Sequence, residues 1–195
     1  MLTVDWGPVS SWFVAAGTLA AAMVALLGGI GIWGWFRRPR LEITFQQTEP
    51  WCRQTELATG KKGYWVRIRV ENKGLDPARG CIGKLTAVHT DGQLRSDIDP
   101  VQLRWCGVHR QLAFEPIDLG RGQHEFLNVF LETEDGPTLI IVTFPYPDFD
   151  PGFPLELAPN AEHRVEVSVF ANNANPVRRT LTLTFAGTFN TLDVR

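Results

Sequence analysis

The first 36 positions of this chain contain no lysine and no arginine, and Asp5 is their only charged side chain. All 19 basic residues therefore fall in 37–195, against 20 acidic ones, so that part has a net charge of −1 and the whole chain −2. Phosphate binding needs a clustered cationic excess, and this near-balance excludes nucleic acid as a leading partner. Cysteine is scarce too. Three thiols, Cys52, Cys81 and Cys106, lie at long, irregular spacing without a CxxC pair, which argues against a disulfide framework and fits a reducing compartment. Lysine is the rarer cation, 4 against 15 arginines, a bias that suggests GC-rich coding and a bacterial source.

What the opening does hold is apolar. Positions 12–36 are 25 uncharged residues, WFVAAGTLAAAMVALLGGIGIWGWF. As a helix they reach about 37 Å, enough to span a hydrocarbon core of about 30 Å. Trp6, Trp12 and Phe13 flank one end and Trp33, Trp35 and Phe36 the other, where amphipathic rings meet lipid headgroups. A cleaved signal peptide would need a basic n-region and a shorter apolar stretch. An uncleaved, single-pass transmembrane helix over 12–36 is expected instead, with membrane lipid as its surroundings. Arg37, Arg38 and Arg40 follow it directly. The positive-inside bias then puts residues 1–11 outside an inner membrane and 41–195 in the cytoplasm, with 37–40 as a basic juxtamembrane linker against anionic headgroups. Pro39 stops the helix. Within it Gly17, Ala21, Ala25 and Gly29 recur every four residues, a small-residue stripe along which two helices can pack in lipid.

After Arg40 the hydrophobic period changes to two. Leu41, Ile43 and Phe45 alternate with polar neighbours, and Tyr64, Val66, Ile68 and Val70 interleave with Trp65, Arg67, Arg69 and Glu71, the pattern of strands with one buried face. Similar runs occupy 82–89, 101–106, 126–132, 139–144, 164–170 and 180–185, separated by Gly, Pro, Asp and Asn clusters. Seven to nine strands in one domain, 41–195, predict an antiparallel β-sandwich. Its last hairpin has Val165, Val167 and Val169 facing inward beside Leu181, Leu183 and Phe185, with 172–176 as the loop.

The stretch YWVRIRVENKGLDPARGCIGKLTAV at 64–88 resembles the strand-turn-strand pattern of immunoglobulin-like, CARDB-like modules in prokaryotic surface and membrane proteins, with Asn72, Gly74 and Ala78 at the motif positions. LRWCG at 103–107, IDLGRGQHEFLNVF at 117–130 and AEHRVEVSVF at 161–170 are similar to bacterial single-pass proteins with one such domain behind an N-terminal helix. The resemblance covers most of 41–187. It implies a recognition or scaffold module and supplies no catalytic residue.

Cys106 and His109 have the two-residue gap of a chelating pair, and His89, His124 and His163 lie elsewhere. Two further ligands at comparable spacing are missing, so neither a metal nor another cofactor is expected. No serine or cysteine stands in a recognisable activating context, and no small-molecule substrate is indicated. A bridge between Cys52 and Cys106 stays open; Cys81 and Cys106 read as small buried apolar residues.

Two features suit a partner surface. The segment 145–154 packs four prolines with Tyr146, Phe149 and Phe153; it is a stiff loop or edge that either docks a partner or caps the sandwich, and Asp148 and Asp150 fall short of a calcium loop. Trp65, Arg67 and Arg69 share the polar face of one strand, where they either pair with acids on a neighbouring strand or form a binding face. The expected function is a membrane-anchored, non-enzymatic module that binds another protein, or its own copy, to assemble a complex. The alternatives are an exported sensor or envelope domain held by an uncleaved signal anchor, and a membrane-tethered hydrolase.

Overall fold

Part of the uncharged N-terminal run folds as a helix, α1 (Gly7–Gly29). Pro8 stands in its first turn, where the missing N–H has no intrahelical partner to lose. The computed structural model describes residues 7–29, 37–57, 59–108, 112–134, 139–141 and 156–195. Side chains 11–25 are all exposed, including Trp12 at 76% and Val24 at 70%. A helix thus covers part of the range expected to span the membrane, but the span itself is not borne out: the helix begins earlier and is described only to Gly29, and 30–36, with Trp33 and Trp35, lie outside the described residues, as does Trp6. Among the described residues no helix is long and apolar enough to cross a membrane.

The chain divides into two units, Met1–Arg38 and Pro39–Arg195. The second is built from two antiparallel sheets. In the first sheet β3 (Lys62–Asn72) lies at the centre, with β1 (Leu41–Thr44) and β2 (Cys52–Glu56) end to end along one edge: β1 pairs with 69–72 and β2 with 62–66. The other edge of β3 pairs with β9 (His124–Thr133), and beyond β9 come β7 (Arg104–Trp105) and β10 (Leu139–Ile141), then β11 (Glu156–Leu157). The second sheet is ordered β14 (Asp193–Val194), β13 (Ala174–Thr184), β12 (His163–Ala171), β4 (Ala78–Thr90). Three short segments, β5 (Gln93–Leu94), β6 (Val101–Gln102) and β8 (Ile117–Leu119), line the free edge of β4.

Alternation decides which faces meet. Val66, Ile68 and Val70 from β3 and Leu127 from β9 are fully buried against Leu85 and Val88 of β4, Val165, Val167 and Val169 of β12, and Leu181 and Leu183 of β13, all in one core cluster. The inward residues expected for the last hairpin hold their places. Its loop does not: Asn172 and Asn173 alone turn the chain, Ala171 pairs with Ala174, and β13 runs through Pro176. The Asn173 amide makes this short turn stable, because its oxygen accepts from Arg79 N at 2.9 Å and its nitrogen donates to Pro77 O at 2.9 Å. Proline is tolerated in β13 since β14 covers only 183–184 of its outer edge.

The expected strand over 101–106 is also corrected. It is two strands in different sheets: Val101 and Gln102 pair with β4, Leu103 donates its N–H to Gly83 O at 2.9 Å, and Arg104 and Trp105 pair with β9. The segment closes one side of the sandwich. Beside it the side chain of Leu127 lies close on the β4 backbone: a Cβ on Gly83 would stand 2.1 Å from Leu127 Cδ2.

Asn72 ties the chain's entry to this body. Its Nδ2 donates to Asp76 O at 2.8 Å and Leu119 O at 3.0 Å, while its Oδ1 accepts from Gly74 N at 2.9 Å and Arg40 N at 3.1 Å. Lys73 N returns a bond to Arg40 O at 2.8 Å. The stretch 37–40 is therefore no free linker at its end: Arg40 is fastened by its backbone and Pro39 is buried. Arg37 and Arg38 are exposed.

Candidate binding face on the first sheet

Odd-numbered side chains of β3 from Trp65 to Glu71 point away from the core, and the register sets their neighbours. Trp65 stands between Arg53 and Leu131, Arg67 opposite Asn128, Arg69 between Thr44 and Phe126, and Glu71 between Glu42 and His124. Arg104 completes the row of Arg67 by pairing with Asn128 on its other side. Trp51, whose carbonyl accepts from Arg67 N at 2.8 Å, reaches across to Phe126 with ring centroids 6.0 Å apart in an edge-to-face contact. The face thus joins Trp65, Arg67 and Arg69 with three residues that periodicity did not single out: Trp51, Arg104 and Phe126.

The expected pairing with acids on a neighbouring strand is not what holds these arginines. Arg67 Nε donates to the Asn128 side-chain oxygen at 3.0 Å. Arg69 bonds Glu71 at 2.7 Å, but on its own strand, and lies 3.4 Å from His124 Nδ1. Lys73 is the second cation on Glu71, at 2.6 Å. That hydrogen bond, helped by the Arg69 charge, holds the Glu71 carboxyl below the usual range against the opposing effect of burial. Trp65 Nε1 donates to Thr55 Oγ1 at 3.0 Å, fixing its indole across β2. Three further donors, Trp51 Nε1, Arg69 Nε and Arg104 Nε, are buried with no acceptor.

The inner side of the same sheet carries a second polar group. Cys52 and Tyr64 lie there, and burial, the largest cause for each, pushes both pKa values up. Glu132, paired with Tyr64 across the ladder and 2% exposed, accepts from Asn190 N at 3.1 Å through one oxygen. Its other oxygen has no partner. Burial raises this carboxyl, while the Asn190 and Thr191 N–H groups pull it down less strongly. The folded state therefore retains a proton that the unfolded chain releases first. The stability this contributes is complete below the unfolded carboxyl range and is lost as pH rises through the folded value. Glu132→Gln removes the charge and keeps an acceptor for Asn190. It should leave stability unchanged near about pH 4 and raise it by about 1 kcal/mol near about pH 8. Thermal unfolding at the two pH values checks this; a variant that loses stability at both would refute it.

The other sequence-derived candidates are dispersed. Cys52, Cys81 and Cys106 are all free thiols. Cys81 is buried, with its pKa pushed to about 11 chiefly by that burial, whereas Cys106 is only half-buried, against expectation. His109, Tyr146, Phe149 and Phe153 lie outside the described residues, as do Asp148 and Asp150. Among the described residues no group of three His, Cys, Asp or Glu could hold a metal ion. In α1, a Cβ on Gly17 would meet nothing within 4 Å; Gly29 is the last helical residue, and Ala21 and Ala25 are exposed. A shallow depression at the β4–β5 turn is lined by Thr90, Asp91, Leu94, Arg95 and Asp97, where Arg95 and Asp97 already neutralise one another. The chain matches no protein-family model and no curated protein.

Proposed function

We propose that the chain is a single-pass, membrane-anchored immunoglobulin-like domain that binds another protein and assembles it at an inner membrane from the cytoplasmic side. The observation that carries the binding reading is the outer face of β3, where Trp65, Arg67 and Arg69 are held in place by neutral or same-strand partners. Arginine and tryptophan, pre-positioned and half-buried, are the residues from which interfaces draw most of their energy.

Strand order supports the finer fold reading. β1, β3, β9 and β7 follow the A-B-E-D succession of an immunoglobulin-like sheet, and β13, β12 and β4 its G-F-C partner. The anchor reading rests on the uncharged span 12–36 and the Arg37, Arg38 and Arg40 flank. Apolar side chains exposed around α1 favour a lipid environment, as does Thr18, whose hydroxyl is satisfied inside the helix by Val14 O at 2.8 Å.

Gentle detergent extraction of the full chain should bring out a stoichiometric partner, and Arg67→Glu should release it without unfolding the domain. A full chain that emerges alone, as a monomer, would sink the binding reading. Topology is tested separately: a reporter fused after Arg195 should be active in the cytoplasm, and activity only in the periplasm would favour an exported domain on a signal anchor.

A further inference from the structure

The outer face of the first sheet is unlike the chain's average in charge. Arg53, Arg67, Arg69 and Arg104 stand there, with Lys73 on Glu71, against Glu42, Glu71 and, at the far edge by register, Glu156, a local excess of two positive charges on a chain whose net charge is −2. It is also richer in donors than in acceptors. Arg67 spends only Nε, on a neutral amide. Arg69 Nε, Arg104 Nε and Trp51 Nε1 are buried and unmatched, a cost that a folded protein normally avoids. Acceptors, and negative ones, are what this face lacks.

We infer that this face docks an acidic polypeptide segment, its carboxylates taken by Arg67 and Arg104 on either side of Asn128 and its apolar groups seated on Trp51, Trp65 and Phe126. The geometry favours a peptide over a lipid surface. The guanidinium of Arg67 is fixed by Asn128 and the indole of Trp65 by Thr55, and half-buried, fixed forks suit bidentate capture of single carboxylates. Attraction to anionic headgroups works instead through exposed, mobile basic chains. The inference names the partner chemistry of the binding module proposed above and rests on that reading, yet its test needs no cellular partner, so the two can fail separately.

The probe is a synthetic decapeptide of alternating Glu and Tyr, titrated by tryptophan fluorescence into the full chain in phosphatidylcholine nanodiscs. Binding should weaken with salt, and a Gln-Tyr decapeptide should bind at least about tenfold more weakly. Arg67→Gln and Arg104→Gln should each lower the affinity of the Glu-Tyr peptide about tenfold, and Arg164→Gln, exposed on the second sheet, should leave it unchanged. If Arg104→Gln fails to fold, Arg67→Gln and the salt dependence decide. Equal binding of the two peptides, or no loss in Arg67→Gln, would overturn the inference. So would a fluorescence response to phosphatidylserine nanodiscs with none to the peptide, which would assign the face to lipid.

Discussion

Asn72→Ala should destabilise the domain by about 3 kcal/mol, a drop of roughly 9 °C in the unfolding midpoint for a body of this size. The amide uses its full hydrogen-bonding capacity, two donors and two acceptor sites. Its bonds join four places: the chain entry at Arg40, the turn at Gly74, the turn carbonyl of Asp76 and the end of β8 at Leu119. Alanine strips partners from two carbonyls and two N–H groups at once. Those at Gly74 and Leu119 are buried, where water cannot replace the lost bond and each orphan costs about 1–3 kcal/mol. The outer two recover part of the loss by solvation.

Asn72→Asp is the sharper variant. It keeps the acceptor for Arg40 and Gly74 but sets a carboxylate against the carbonyl oxygens of Asp76 and Leu119. It should cost at least as much as alanine at neutral pH and regain part of the loss in acid, where a protonated carboxyl can donate to one of them. Release of Arg40 should also speed tryptic cleavage after that residue. Denaturant unfolding measures the first effect and limited proteolysis the second. A loss below about 1 kcal/mol in Asn72→Ala would show that the turn holds without its amide.

That asparagine is visible in the sequence only as part of a turn resemblance, and the reason is general for this fold. Period-two alternation locates the long strands because each is long enough to show a buried face: Val66, Ile68 and Val70 on β3, and Val165, Val167 and Val169 on β12, lie where that pattern puts them. It cannot find β5, β11 or β14, each two residues long, since two residues contain no period, and it merges β6 and β7 into the one run over 101–106. Nor can it foresee the change of sheet at Leu103, which local hydrophobicity does not encode.

The candidate face divides in the same way. Trp65, Arg67 and Arg69 share a side because they are two apart on one strand. Which residue stands opposite Arg67 depends on pairing across 61 positions and on the register shift beside Val66. Asn128 and Phe126, rather than acids, follow from that register. Trp51 joins through a ring contact, a tertiary feature with no spacing to reveal it.

Trp105→Ala should cost still more than the loss of the Asn72 amide, about 4 kcal/mol. Among the described residues Trp105 is the largest of the fully buried side chains. It sits where the chain leaves the second sheet for the first, opposite Leu127, the residue that Gly83 must be a glycine to admit. Its backbone is held as well, N–H to Ala113 O at 2.8 Å, and the next residue binds Phe126 O at 2.7 Å. Removing the indole opens a cavity between two sheets fixed by their long central strands, so the site cannot collapse to fill it. The indole Nε1 has no acceptor, which makes a second substitution informative. Trp105→Phe discards that orphan donor along with part of the ring, and the two changes oppose each other, leaving a loss of about 1 kcal/mol. Denaturant unfolding of both variants sets the scale. Amide exchange at Leu103 and Cys106 then shows whether alanine frees the crossing segment before the sheets part. Equal losses for alanine and phenylalanine would mean that the indole's volume is not what seals the seam. The larger loss for alanine places the stability of the crossing, and with it the position of Arg104 on the outer face, in the packing of this one ring.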